Sequence, residues 1–181
     1  MTPPGTARLT FHEMTPDDLD DLDRLVGDPD VMRFYPRPKT RAETLEWIER
    51  NRRRYREDGH GLWTLRLRAG AIFAGDCGLT IQRVDGVDEL ELGYHVVPRL
   101  QGTGLATEAA RACRDWARDV LGADRVIAII HPDNLASQQV ALRAGLTLEK
   151  RTADYGPGAE VLVYARRLTG NAEDRSARLT G

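Results

Sequence analysis

Cysteine is scarce in this sequence, with Cys77 and Cys113 the only two. Two thiols make neither a disulfide scaffold nor a four-cysteine zinc site. No apolar stretch approaches the ~20 residues of a membrane span. Met1 to Arg8 lack the apolar core of a signal peptide. Charge of one sign is not in excess either, because 26 Lys+Arg against 28 Asp+Glu leave a net charge of −2. Nothing therefore points to direct nucleic-acid binding or to a membrane surface. Internal repeats and low-complexity linkers are missing too. Secretion, membrane insertion and structural zinc are poor readings, and a cytoplasmic protein without a metal is expected.

What is present is a chain of 181 residues, 41% apolar and 30% charged. That is the size and mixture of one soluble globular domain. Residues 1–7 hold Pro3, Pro4 and Gly5 and lack periodicity. Residues 169–181 are polar, with Gly170, Asn171 and Ser176. Both are expected to be flexible ends around a single domain at 8–168.

Elements alternate along that domain. Arg8 to Glu13 reads as a strand. Thr15 caps a helix beginning near Pro16, with Leu19, Leu22, Leu25 and Val26 on one stripe. Thr40 and Glu43 form a capping box for a second helix to about Glu57, with Leu45, Ile48 and Tyr55 facing inward. Leu62 to Arg68 alternates as a half-buried strand should. Ala71 to Gln82, with Gly75 and Gly78 marking bends, and Glu89 to Val97 complete an antiparallel meander around the Asp85-Gly86 turn. Leu105, Ala109, Ala112, Cys113, Trp116, Ala117 and Val120 then mark a strongly amphipathic helix. Arg125 to Ile130 is a strand, Asn134 caps a helix ending at Gly145, and Leu146 to Arg151 and Val161 to Arg167 close the domain. The expected class is α/β (α+β), with a mixed, mostly antiparallel sheet of about seven strands and about four helices, one of them a crossover between parallel strands.

The richest stretch is Pro98-Arg99-Leu100-Gln101-Gly102-Thr103-Gly104-Leu105-Ala106-Thr107. It joins a strand to the best helix. Small residues let backbone N–H groups approach a ligand, and these are the unpaired donors at the positive end of a helix dipole. Such a turn suits a phosphate or pyrophosphate. It is not a P-loop, since no Lys follows Gly104. It is not a dinucleotide fingerprint, since Thr107 stands at the last glycine position. A Gly-rich helix entry without any ligand is the plain alternative.

Gln101-x-x-Gly104-x-Ala106 resembles the Gln/Arg-x-x-Gly-x-Gly/Ala signature of the GNAT superfamily of acyl-CoA-dependent N-acyltransferases. Glu91-Leu92-Gly93-Tyr94 before it and Ala106-Thr107-Glu108-Ala109 after it resemble the Rim-type branch, which acetylates ribosomal-protein N-termini. Asn134-Leu135-Ala136-Ser137, leading into Ala144-Gly145-Leu146, is similar to the second family motif, with Leu146 where Phe is usual. The similarity is specific from Glu89 to Gly145 and follows the element order from Leu9 to Leu168.

The resemblance implies an acetyl-CoA-dependent N-acetyltransferase working by direct transfer in a ternary complex. The pantetheine arm would pair with Tyr94, His95 and Val96 of the fourth strand. The pyrophosphate would sit on the backbone of Gln101, Gly102, Thr103, Gly104, Leu105, Ala106 and Thr107. Asn134 would contact the cofactor as well as cap its helix. Glu91 would be the catalytic base, with Glu89 on the same face as an alternative. Ser137 would give the leaving thiolate a proton, because the Tyr that many members carry four residues later is Ala141 here. Ser137 also reads as an ordinary first-turn helix serine. Phe34-Tyr35-Pro36 and Asp154-Tyr155-Gly156-Pro157-Gly158 would wall the acceptor pocket.

The amine acceptor is the expected partner, either a protein N-terminus or a small amine. A homodimer is one assembly to consider, and the oligomeric state stays open. A regulatory acyl-CoA-binding module, a different acyl donor and, remotely, a nucleotide-dependent oxidoreductase are the competing readings. Cys113 reads as packing, and Cys77 has no base in sequence beside it. His12, His60, His95 and His131 lack metal-pair spacing, and His95 reads as an ordinary strand residue, with a place lining the acceptor site as the alternative. Arg50, Arg52, Arg53, Arg54 and Arg56 read as a solvated helix face.

Overall fold

The structure is a computed structural model and describes residues 1–155 and 160–168. The expected C-terminal tail, 169–181, and Gly156, Pro157 and Gly158 lie outside the described residues. The strand β1 spans Leu9–Glu13. A 3-10 turn at Pro16–Asp18 then precedes α1, Leu19–Val26. The helix therefore starts later than its Pro16 suggests. The Asp18 carboxylate accepts from Thr15 N at 2.9 Å and from Arg66 at 2.9 Å, and this closes a tighter first turn.

The second helix, α2, spans Arg41–Glu57. Its capping box forms as expected, with Glu43 Oε2 accepting from Thr40 N at 2.8 Å and Thr40 Oγ1 accepting from Glu43 N at 3.3 Å. Its inner face is Thr44, Trp47, Ile48 and Asn51, while Leu45 points to solvent, 40% exposed. The helix is rotated so that fully buried Asn51 meets the sheet. Asn51 Oδ1 accepts from Leu62 N at 2.9 Å, and its Nδ2 donates to Trp47 O at 3.0 Å.

The meander is β2, Leu62–Leu67, β3, Phe73–Val84, and β4, Val87–Val96. Asp85 and Gly86 turn the β3–β4 hairpin with φ of 50° and 75°. Left-handed values at both central residues match the right-handed twist of a two-residue hairpin. The remaining elements are α3, Leu105–Asp119, β5, Arg125–Ile130, α4, Leu135–Arg143, β6, Thr147–Thr152, and β7, Val161–Arg167. The seven strands form one sheet in the order β1-β2-β3-β4-β5-β7-β6. Among the described residues only β4 and β5 are parallel neighbours, with α3 as their crossover.

Helices cover both faces of the sheet. Leu105, Ala109, Cys113 and Trp116 of α3 pack with Trp63, Leu65, Leu79 and Leu92. Leu22, Leu25, Trp47 and Ile48 of α1 and α2 pack with Leu62 and Phe73. Leu62 through Leu65 are consequently all buried, so the half-buried alternation expected of this strand is absent. Cys77 and Cys113 are fully buried with their sulfurs 3.5 Å apart, and burial pushes the Cys77 thiol up, away from the nucleophilic thiolate. Of residues 1–7, expected as a loose end, Pro3 is buried and the Thr6 hydroxyl donates to Glu108 of α3 at 2.5 Å.

The feature that matters most for a ligand is the parting of β4 and β5. The two strands share one register pair, Glu91 with Ile127, and diverge beyond it. Tyr94 to Val96 on one side and Ala128 to Ile130 on the other then line an open wedge.

Replacing Asn51 with Ala leaves Leu62 N–H without its partner in the core. A buried donor left unmade costs about 1–3 kcal/mol. Urea unfolding of Asn51→Ala is expected to show a lower midpoint with an unchanged slope.

Candidate active site

The wedge continues into a cleft of about 1280 Å³. Tyr94, His95, Val96, Gln101, Gly102, Gly104 to Thr107, Asn134, Ser137 and Glu91 all line it. The fold thus brings together the expected catalytic and cofactor residues, apart from Thr103 and the alternative base Glu89. Thr103 turns away, its hydroxyl donating to Leu100 O at 2.6 Å and its carbonyl accepting from Arg8 at 3.0 Å.

At one end lies the entry to α3. Gly104 is its N-cap, with φ of 84°, a left-handed backbone that suits glycine. Among the described residues no side chain caps this helix. The N–H groups of Gly102 to Thr107 have no hydrogen-bond partner among the described residues, and the first bond of the helix comes from Glu108 N to Gly104 O. Free amides at a helix start have the geometry and dipole that suit an anion. The turn is braced from both sides. Gln101 Nε2 donates to Val96 O at 3.0 Å, and Arg8 pairs with Glu108 at 2.6 Å.

In the middle, two hydroxyls meet. Tyr94 projects from β4 to α4, where its hydroxyl donates to Ser137 O at 3.0 Å and lies 3.1 Å from Ser137 Oγ. Asn134 Oδ1 accepts from Ser137 N at 3.1 Å, the N-cap contact expected from its position. Burial raises the Tyr94 phenol above its ordinary value, so it stays protonated. Sequence reading assigned Tyr94 a backbone role only. Its side-chain role was hidden because the partner is 43 residues away on another element.

At the other end stand the titratable groups. The Glu91 carboxylate accepts from the Thr80 hydroxyl at 3.3 Å, and Gln82 donates to the same hydroxyl at 3.2 Å. Burial raises its carboxyl above the ordinary value. Hydrogen bonds from Thr80 and Gln82 and the charges of His95 and Arg54 offset this only in part. Glu89, the alternative, is paired with Arg125 at 3.1 Å, which leaves Glu91 as the β4 carboxylate that lines the cleft. Phe34, Tyr35, Pro36 and Tyr155 wall this end. Phe34 stacks on His131 with ring centres 5.3 Å apart. His95, which read as an ordinary strand residue, is bonded to both Asp76 and Tyr35.

A family model described as an acetyltransferase (GNAT) domain matches residues 8–147. This chain belongs to that acetyltransferase family. The uncharacterized protein YkkB of Bacillus subtilis (strain 168) is 34% identical over 143 residues, which is 79% of this chain and 82% of that protein. Among solved structures, an acetyltransferase from Agrobacterium tumefaciens strain C58 matches with a TM-score of 0.80 and 25% identity, over 92% of this chain and 95% of that one. A ribosomal L7/L12 alpha-N-protein acetyltransferase in complex with coenzyme A matches with a TM-score of 0.73 and 21% identity, over 91% and 97% of the two chains. The fold is thus the GNAT fold. Among the described residues no helix is long and apolar enough to cross a membrane.

The Glu91 environment can be checked by carboxyl NMR titration. Its midpoint is expected above that of a free glutamate. Thr80→Val removes a hydrogen bond that favours the charged form, so the midpoint should rise further. A midpoint that falls in Thr80→Val would contradict this balance.

Proposed function

We propose that this chain moves an acetyl group from acetyl-CoA to a primary amine by direct transfer in a ternary complex, with residues 8–168 as the catalytic unit. The observation that carries this reading is the wedge between β4 and β5, whose open main-chain edge leads to the unpaired amides of Gly102 to Thr107. Membership of the acetyltransferase family supports it. The pantetheine arm pairs along Tyr94 to Val96, and the pyrophosphate rests on the amides from Gly102 to Thr107, the Gln101 amide being taken by Pro98 O. Asn134 orders the start of α4 beside it.

The chemistry follows from the groups around the wedge. The acceptor nitrogen attacks the thioester carbonyl, and a β4 amide steadies the oxyanion. Glu91 is the carboxylate base at that nitrogen. The C–S bond then breaks and Ser137 gives its proton to the departing thiolate, with Tyr94 holding the serine in place. A protein N-terminus and a small amine both fit this scheme. The coenzyme A complex of the ribosomal-protein acetyltransferase above makes peptides the first acceptors to test.

Three measurements test the reading. Thiol release from acetyl-CoA is followed with N-terminal peptides and, separately, with aminoglycosides, polyamines and amino acids. Turnover with either set supports a transferase and names its acceptor class. Silence in both sets with tight acetyl-CoA binding would favour a non-catalytic acyl-CoA-binding module.

Ser137→Ala is expected to lower kcat about tenfold, less than a strong general acid provides, with little change in the acetyl-CoA KM. An unchanged kcat would reject the proton-donor role. For the anion site, Gly104→Asn and Gly104→Asp form a matched pair, since both side chains tolerate a left-handed backbone. Only the aspartate adds negative charge, so it alone should lose most of the acetyl-CoA affinity. Equal affinities in the two would refute the pyrophosphate assignment.

A further inference from the structure

Glu91, Gly93 and His95 occupy alternate positions of β4 and share a face. Two titratable side chains thus flank a residue that has none. A Cβ built at Gly93 would meet only Leu62, at 3.4 Å, and Gly93 lines the cleft. An acceptor nitrogen placed over Gly93 has Glu91 on one side and His95 on the other.

His95 is backed by Asp76, its direct cross-strand partner on β3. Asp76 is fully buried, and among the described residues its carboxylate bonds only to His95. His95 Nδ1 lies 3.0 and 3.3 Å from the two carboxylate oxygens. On the other ring nitrogen, the Tyr35 hydroxyl lies 2.9 Å from His95 Nε2. Tyr35 comes from the segment between α1 and α2 and lines the cleft. Backbone design supports the arrangement. Gly75, with φ of 143°, lets β3 approach β4 so closely that a Cβ there would fall 2.0 Å from His95 O.

An alkylamine reaches the site as an ammonium ion, and its nitrogen sheds two protons in becoming an amide. One leaves before attack and the other as the tetrahedral adduct collapses. The second is much the more acidic, so a carboxylate suffices for it. The first needs a stronger base.

We propose that Tyr35, His95 and Asp76 form a proton relay that takes the first proton from the acceptor ammonium, leaving Glu91 to take the second. The ammonium N–H breaks as its proton passes to the Tyr35 oxygen, and the Tyr35 proton passes to His95 Nε2. The nitrogen keeps the electron pair that forms the bond to the carbonyl carbon. Positive charge moves from substrate to imidazolium, where the Asp76 carboxylate balances it. Tyr35 touches the acceptor, His95 holds the proton, and Asp76 is a positioning residue. This inference rests on the acetyltransferase reading.

The charged groups around His95 fit the task. Asp76 of β3, Glu91 of β4 and Lys39 from the segment before α2 act on the ring, while Trp47 of α2 meets it edge-on at 6.3 Å. Arg54 of α2 acts on Glu91. Desolvation lowers the His95 pKa, yet Asp76 and Glu91 outweigh it, and the net direction is upward. Although the Tyr35 side chain is half exposed, desolvation of its hydroxyl beside His95, with Glu91 and Asp76, raises the phenol, so it passes protons on without resting as a phenolate. The basic form of His95 is present above its raised midpoint, so the rate with an ammonium acceptor rises with pH through that midpoint.

The test compares two acceptor probes in the full chain with acetyl-CoA. One is a hexapeptide with a free N-terminal serine. The other is hydroxylamine, which is already unprotonated at neutral pH, with its uncatalysed reaction subtracted. Tyr35→Phe and His95→Gln should lower kcat/KM for the peptide at least about tenfold more than they lower it for hydroxylamine. Glu91→Gln should lower both. Asp76→Asn should move the acid limb of the peptide profile to lower pH and reduce its plateau.

Nitrogen NMR of the His95 ring, with acetyl-CoA bound, should give a midpoint above that of a free histidine and a lower one in Asp76→Asn. Equal losses on both probes, or a ring midpoint insensitive to Asp76→Asn, would overturn the relay. A wild-type chain that acetylates neither these probes nor the aminoglycosides, polyamines and amino acids above would bring down the acetyltransferase reading instead. The ring titration, which needs no turnover, tells the two failures apart.

Discussion

Strands β4 and β5 meet at Glu91 and Ile127 and then part, and the rest of the site depends on that divergence. In a closed sheet the β4 edge would be consumed by ladder bonds. Here Tyr94 to Val96 present main-chain groups to a cleft. The gap stays open because each strand is held from its far side. Strand β4 pairs with β3 from Val87 to Val96, and β5 pairs with β7 from Arg125 to Ile130. The Gln101 side chain further ties down the end of β4 through Val96 O. Helix α3, the crossover between the two strands, begins at the mouth of the gap, so its free amides face the same space.

The second constraint is two-sided burial. Helices on both faces make the centre of the sheet dry, and this decides the electrostatics. Asp76 is fully buried, where an isolated carboxylate would be strongly disfavoured. Its pairing with His95 compensates, and the same pairing orients the ring and shifts its titration upward. Glu91 experiences the opposite balance, because burial outweighs its hydrogen bonds and neighbouring charges. Two residues on one strand face thus acquire different basicities from different surroundings.

Helix α3 also depends on remote chain. Its Glu108 carboxylate takes bonds from Thr6, from Arg8 N and from the Arg8 side chain, which in turn donates to Thr103 O. The N-terminal segment therefore braces the turn that offers its amides to an anion. Thr103 gives its hydroxyl and carbonyl to this bracing and keeps its N–H free among the described residues. Leu45, read as core, is solvent-facing because Asn51, two turns on, must reach Leu62 N.

Local patterns carried much of this in the sequence. Thr40 with Glu43, Asp85-Gly86, Asn134 with Ser137, and the spacing from Leu105 to Val120 determine caps, turns and periodicity within a few residues of chain. They were legible because their partners are near neighbours. The free helix-start amides of Gly102 to Thr107 were legible for the same reason, since they are a property of one turn. The Tyr94–Ser137 contact and the Asp76–His95–Tyr35 chain were decided only by tertiary structure. Their members lie 43, 19 and 60 residues apart, and a hydrogen bond between side chains so distant leaves no periodic or local mark in the sequence. Burial on both sheet faces, which sets the basicity of Glu91 and His95, exists only once α2 and α3 have closed over the strands.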